Sequence, residues 1–374
     1  MLPPPPAIGK RTVDLRRRWW LGGALLALAL TARVVVFELG SDRLNNDEQA
    51  YLDLATEIAA GRGLARQGQP ETHILPLFPL LHAVPVALGA PPQIAGRAIA
   101  LLSSAAAAPL ALWLAWPLLG RRWSLLAGIA VALHPRLLVT AERLQPEALA
   151  ALGLLAVAGL LVRARPDRAL PAAALCYLSR PEGLFLLPAI WIAALAAGRA
   201  RWRGLLLPTA LACLLIAPYL IHLRIATGGW TPIGKASWIY TLGVLEARTP
   251  GAAISHQQLE RAAVEIGSPW RHLRQRPGEV VTGYLVRLRL ALSYLLEGVY
   301  WPLALLAAVG LAAVERRRAL LVPLSLIAII PLAFVNARHL LPYLPLVLVL
   351  ATVGAQAVWL AICRGWWRWR STIR

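Results

Sequence analysis

The sequence predicts an all-α polytopic membrane protein of about ten transmembrane helices, with interfacial helices in its first outer loop. Three observations carry this expectation. Of the 374 residues, 58% are hydrophobic and only 15% charged, with a mean hydropathy of +0.60, far outside the range of soluble globular domains. Apolar runs of roughly 20 residues, the length that crosses a bilayer, recur along the chain. Short clusters of Arg separate many of these runs, which is how orientation in a membrane is encoded. The net charge of +20 therefore reports topology first, and nucleic acid is not expected as a partner. Cys176, Cys213 and Cys363 lie in or beside apolar runs without metal-ligand spacing, so neither disulfides nor a zinc site is indicated.

The whole chain, 1–374, reads as one membrane-embedded domain. Lys10, Arg11 and Arg16 to Arg18 precede a first span, Trp19 to Leu39, which is longer than a typical signal core. This span leads out to a first outer loop, 40–92, holding Asp42, Asp47, Glu48, Asp53, Glu57 and Glu71. Ile74 to Ala90 is short and interrupted by Pro76, Pro79 and Pro85, so it is expected to lie in the interface. Gln93 to Leu119 returns to Arg121 and Arg122 inside, Trp123 to Ala141 leads out to Glu142, Arg143 and Glu147, and Ala148 to Val162 comes back to Arg163, Arg165 and Arg168. Ala169 to Gly198 is broken by Ser179-Arg180-Pro181-Glu182-Gly183, predicting two short helices that meet at the outer face before Arg199, Arg201 and Arg203. Gly204 to Ile225 leads to a long outer loop, 226–297. Three spans close the chain, near Gly298 to Val314, Ala319 to Val335 and Leu340 to Ile362. They are separated by Glu315 to Arg318 inside and Asn336 to His339 outside, and Arg364 to Arg370 forms a Trp/Arg interfacial tail, so both termini are expected in the cytoplasm.

Several polar groups in this frame could carry chemistry. After Asn45, the apolar positions Tyr51, Leu54, Ala55 and Ile58 follow helical spacing, Asn46 with Gln49 resembles a capping box, and Gly61 and Gly63 end the helix. Asp47 and Glu48 then occupy the first turn, where the helix dipole favours their ionised forms. Such a carboxylate can accept a proton from a hydroxyl or hold a divalent cation; plain helix capping is the alternative. Glu147 follows Pro146 at the same face and is either a second functional acid or a helix-start acid. Arg180 and Glu182 interrupt an apolar stretch, where charges are costly enough to suggest a role: Arg180 binds a lipid phosphate or pairs with an acid. Arg338 and His339 stand at the outer entrance of the last span, as a second phosphate ligand or as snorkelling residues. Lys235 is one of only two lysines, but its loop position alone assigns it nothing. Tyr219, His222, Arg224, Trp230 and Pro232 mark the exit of another span and fit an interfacial belt.

Taken in order, Asp47-Glu48 with Gly61-Arg62-Gly63, Leu75-Pro76-Leu77-Phe78-Pro79, Gln145-Pro146-Glu147, Arg180-Pro181-Glu182-Gly183 and Arg338-His339-Leu340-Leu341-Pro342 resemble the GT-C membrane glycosyltransferases. The branch is that of the protein O-mannosyltransferases and aminoarabinose transferases. The resemblance implies that Asp47 serves catalysis, with Glu48 the weaker claimant and Glu147 matching a second outer acid. It also implies that Arg180 and Arg338 hold a lipid phosphate, with Glu182 and His339 beside them. Where many relatives have Asp, this chain has Glu147, and it ends in Trp and Arg where larger relatives append a soluble domain.

The activity so implied is transfer of a sugar from a polyprenyl-phosphate donor to a lipid, glycan or protein acceptor at the periplasmic face of a bacterial inner membrane. A divalent cation at the outer-face carboxylates is a possible cofactor. The rival expectations are a ligase or polymerase acting on a lipid-diphosphate-linked glycan, and a non-enzymatic lipid or glycan transporter, for which no inverted repeat is visible.

Overall fold

A computed structural model describes residues 8–38, 44–141, 143–198, 201–249, 254–314 and 317–372. Asp42, Glu142, Arg199, Glu315 and Arg316 lie outside the described residues, as do the side chains of Lys10, Arg11, Arg17, Arg317, Arg318 and the tail from Gly365 onward. The chain is an all-α membrane protein. Among the described residues its sole sheet is a two-residue antiparallel hairpin, β1 (Ala65–Arg66) with β2 (Gln69–Pro70).

The first helices are α1 (Ile8–Glu38), α2 (Asn46–Ala59), α3 (Leu77–Ala87) and α4 (Pro92–Leu119). The stretch expected to lie in the interface is indeed a separate short helix, α3, packed against both α2 and α4. Next come α5 (Arg121–Leu133), α6 (Pro135–Thr140), α7 (Glu147–Val162), α8 (Pro166–Ser179), a 3₁₀ turn at Pro181–Phe185, α9 (Leu186–Ala196) and α10 (Trp202–Thr227). The 226–297 stretch holds α11 (Ala236–Arg248), α12 (His256–Ile266), α13 (Pro269–Gln275) and all but the end of α14 (Pro277–Val299). The chain finishes with α15 (Trp301–Ala313), α16 (Arg317–Leu324), α17 (Leu326–Ile329), α18 (Ala337–Leu340) and α19 (Leu344–Thr372).

Among the described residues four helical stretches are long and apolar enough to cross a membrane alone: Arg18–Glu38, Pro92–Leu119, Trp202–Thr227 and Ala337–Arg364. The pair α14 and α15 makes a fifth if counted as one span bent by 105°. The expected count of ten is therefore not established by helix length, because proline and glycine break several of the apolar runs. The Trp123 to Ala141 run divides at His134-Pro135, where proline has no N–H to continue the ladder. The 319–335 run divides into α16, α17 and a further 3₁₀ turn at Ile330–Leu332. The arrest at Arg180 is as expected, with α8 and α9 meeting through the 3₁₀ turn.

Breaks inside an apolar bundle leave backbone carbonyls without partners, and buried arginines take them up. Arg33, fully buried in α1, donates from Nε to Ser104 Oγ at 2.8 Å and from Nη1 to Ala132 O at 2.9 Å. Ser104 Oγ donates onward to Leu137 O at 3.1 Å, so α1 and α4 together hold both sides of the α5–α6 break. Arg287 in α14 plays the same part, donating to Pro331 O and Gly243 O, each at 2.7 Å. Its charge conceals α14 from a hydropathy scan, though the carbonyls satisfy it.

The core joins α4, α5, α7, α8, α9 and α19 and is rich in Ala, Leu and Val, small enough for helices to approach closely. The tightest approach is α15 against α19, where Gly310 faces the backbone at Leu350 and Gly354 faces that at Leu306, leaving no room for a Cβ. Gly354→Ala is expected to cost about 1–3 kcal/mol through overpacking, read as a lower melting temperature in detergent. Gly204→Ala, with nothing within 4 Å of its added methyl, should leave melting unlowered. Equal melting of the two variants would contradict this packing.

Candidate active site

Asp47 and Glu48 both occupy the first turn of α2. The capping box there is Asn45 with Glu48, one residue earlier than the Asn46 and Gln49 pairing expected from sequence. Asn45 Oδ1 accepts from the Glu48 N–H at 3.0 Å, and Glu48 Oε2 accepts from the Asn45 N–H at 2.9 Å. The other oxygen, Oε1, accepts from the Leu144 N–H at 3.0 Å. Buried and using both oxygens on backbone donors, Glu48 ties the start of α2 to the turn that leads into α7. It leaves Asp47, half exposed, as the member of the pair that faces solvent.

Asp47 Oδ2 accepts from Arg338 Nη1, closing an ion pair between residues 291 apart in the chain. Arg338 owes its place to a second capping box. Asn336 Oδ1 accepts from the Arg338 N–H at 3.2 Å, and His339 Nδ1 accepts from the Asn336 N–H at 3.3 Å. The Arg338 Nε is buried without an acceptor. His339 thus helps to shape the turn that presents Arg338.

Behind this pair lies a second charged group. Arg180 sits at the carboxyl end of α8 in extended conformation, with Nε 2.5 Å from Glu182 Oε1 and Nη1 3.2 Å from Glu147 Oε1. Gly183 is required here because a Cβ would collide with the backbone of Tyr177. The 3₁₀ turn therefore lies tight on α8 and brings Glu182 back beside Arg180. One cation is shared by two carboxylates, and Glu147 Oε2 is buried without a donor. Glu147 also borders a small gap lined by Ser104, Thr140 and Leu341, and the last two of these also line the main cleft.

Two residues that sequence reasoning did not weight are coupled electrostatically to the charges of the site. Lys235 is the residue before α11, and the segment before it is pinned down: the Gly234 N–H donates to Thr72 O at 3.1 Å and Tyr177 Oη donates to Pro232 O at 2.5 Å. Gly234 has no space for a Cβ, which would come within 2.5 Å of Thr72. Burial lowers the Lys235 pKa, as do Arg180 and Arg338, while Asp47 and Glu71 oppose the shift. The ammonium therefore feels the charges of Arg180, Arg338, Asp47 and Glu71. Tyr51, counted from sequence as part of an apolar stripe, packs edge-on against Phe78 with centroids 5.5 Å apart. Burial first, and then Glu147, raise its phenol pKa.

A cleft of about 950 Å³ opens at the Asp47–Arg338 pair. Asn45, Asn46 and Asp47 line one side, Asn336 and Arg338 another, and Arg136, Arg143 and Gln145 a third. Arg136 was hidden inside an expected span. A charge within an apolar run is the signal that could have found it. Among the described residues no three His, Cys, Asp or Glu side chains converge as a cation site. Asp47, Glu48 and Glu147 each turn to a different partner, so the divalent cation considered from sequence has no ready donor set and no step below uses one.

No protein-family model matches the sequence, and no curated protein sequence matches it. Solved structures do match its fold. ArnT from Cupriavidus metallidurans in the apo state superposes with a TM-score of 0.58 at 14% identity, covering 93% of this chain and 60% of that one. ArnT bound to undecaprenyl phosphate gives 0.59 at 14% identity, covering 88% and 59%. The apo oligosaccharyltransferase of Archaeoglobus fulgidus gives 0.54 at 14% identity, covering 90% and 50%. The chain thus spans between half and three fifths of the length of these structures. At such identities the likeness shows the fold, the GT-C membrane fold that the ordered motifs led us to expect.

Glu48→Ala is expected to leave the Asn45 and Leu144 N–H groups without acceptors and to cost about 1–3 kcal/mol, seen as reduced melting in detergent. Unchanged melting would remove Glu48 from this joint. Glu71 provides a pH test. Burial raises its pKa, but the His73 N–H at 2.6 Å and Arg66 Nε at 2.8 Å lower it further, giving a net shift below the ordinary 4.5. A depressed carboxylate stabilises the fold above its unfolded pKa, and this contribution is lost as pH falls through the folded value. The melting difference between wild type and Glu71→Gln should therefore shrink below pH 4.5. A difference independent of pH would contradict the ionised assignment.

Proposed function

We propose that this protein transfers a sugar from a polyprenyl-phosphate donor to an acceptor held in the cleft, at the outer face of a bacterial inner membrane. The observation that carries the proposal is the Asp47–Arg338 pair on the wall of a cleft large enough for a sugar, with the Lys235 cation acting electrostatically on the same pair. The undecaprenyl phosphate in the bound form of ArnT supports a lipid monophosphate. The two carboxylates flanking Arg180 already balance its charge, so the donor phosphate is assigned to Arg338 and Lys235, while Arg180 holds Glu147 and Glu182 in place.

In the proposed reaction the acceptor oxygen attacks the anomeric carbon, the bond from that carbon to the phosphate oxygen breaks, and Asp47 takes the acceptor proton. Polyprenyl phosphate leaves with the electron pair. Charge develops on the phosphate oxygen as it departs, and the Arg338 and Lys235 cations stabilise it in a partly water-excluded site. Arg338 serves both groups: its Nη1 keeps Asp47 oriented, and its unpartnered Nε remains for a phosphate oxygen.

A lipid-diphosphate donor is the second reading; the acceptor peptide tethered to the Archaeoglobus fulgidus oligosaccharyltransferase bears on the kind of acceptor and not on the donor headgroup. The lipid product separates the two, polyprenyl phosphate for the first and polyprenyl diphosphate for the second. Movement of substrate with no new glycosidic bond would instead indicate a transporter. With a labelled polyprenyl-phosphate sugar in purified membranes, Asp47→Asn is expected to lower transfer by about 10²–10⁴-fold, the contribution of a general base. Full transfer by this variant would overturn the mechanism.

A further inference from the structure

One wall of the cleft has no part in holding the donor phosphate. Arg136 follows the His134-Pro135 break and Arg143 lies in the turn into α7. Both are exposed, both line the cleft, and neither side chain has a hydrogen bond or ion pair among the described residues. Gln145, in the same wall, is only 4% exposed, and its Nε2 has no acceptor. Among the described residues the wall therefore presents two guanidinium groups without a counter-charge and a buried amide donor without a partner.

The opposite charge is not supplied from within the cleft. Asp47 is the sole acid among the described residues that line it, and Arg338 already neutralises that acid. An uncharged sugar hydroxyl would leave the two arginines unbalanced. An oxyanion would satisfy all three groups at once: guanidinium groups bind phosphate and carboxylate oxygens in paired, charge-assisted hydrogen bonds, and the amide N–H needs only one such oxygen. The buried amide also separates this wall from a random scatter of surface arginines, because a buried donor without a partner is costly to keep.

We propose that Arg136, Arg143 and Gln145 form an anion subsite for the acceptor, so that the molecule receiving the sugar carries a phosphate or carboxylate near its reactive group. This inference rests on the glycosyl-transfer reading for the word acceptor, but the subsite itself can be tested without turnover. Its oxyanion can belong to a membrane lipid headgroup or to a water-soluble sugar.

The test uses the whole chain in phosphatidylcholine nanodiscs, titrated calorimetrically with glucose 6-phosphate and with glucose. Glucose 6-phosphate should bind at least about tenfold more tightly than glucose, and the double variant Arg136→Ala with Arg143→Ala should lose about tenfold or more of that affinity. Undecaprenyl phosphate binding by the same variant should be unchanged, which also shows that it is folded. Adding phosphatidic acid to the nanodiscs identifies the source: competition with glucose 6-phosphate supports a lipid-borne anion, and its absence supports a soluble one. Equal binding of glucose and glucose 6-phosphate, or wild-type affinity for glucose 6-phosphate in the double variant, would overturn the subsite. Activity loss in Asp47→Asn bears only on the transfer reaction, so the two claims fail separately.

Discussion

Every polar backbone group that a broken helix exposes inside an apolar bundle must find a partner, and this requirement organises the protein. Helices stop at Pro135, Arg180 and Tyr300. Side chains distant in sequence then collect the loose ends: Arg33 and Ser104 at the α5–α6 break, and Arg287 at the carbonyl of Pro331. Glu48 does the same with the opposite polarity, accepting from Leu144 across 96 residues. The result is a rim of helix ends that carries the charged side chains of the site.

On that rim the charges fall into two groups with different occupations. Arg180 is shared between Glu147 and Glu182, an arrangement that satisfies its guanidinium and fixes the α8–α9 corner. Arg338 has one carboxylate partner and one unused donor. Removing a single partner from a buried charge is expensive, so the first group resists displacement, while the second has a donor left over beside its carboxylate. On the proposed reading this distinction gives Arg180 a structural part and Arg338 the phosphate, although the sequence presented them as equivalent.

The fold class was legible because hydropathy and Arg clusters act over long windows, and the Arg-Pro-Glu-Gly break was legible because a charge and a proline interrupt an apolar run. Asp47 could be singled out because the helix start lies within a few residues of it. The capping partner was harder to place: Asn45 and Asn46 are both good caps, and only the Leu144 contact, 96 residues away, shows which register is used. Helix α14 was concealed by Arg287, a charge that carbonyls from two other segments satisfy. Lys235 was visible but uninterpretable, since its position depends on Thr72 and Tyr177, residues remote from it in the chain.

The central claim is that Arg338, held by Asp47, is where the lipid phosphate lands. Asp47 on Nη1 and a phosphate on Nε would then share one guanidinium and repel each other, which makes the two variants respond in opposite directions. Binding of undecaprenyl phosphate to the protein in nanodiscs tests this directly. Arg338→Ala should weaken binding about tenfold or more, whereas Asp47→Ala should leave binding as tight or tighter. Wild-type affinity in Arg338→Ala, or equal weakening in both variants, would contradict the account.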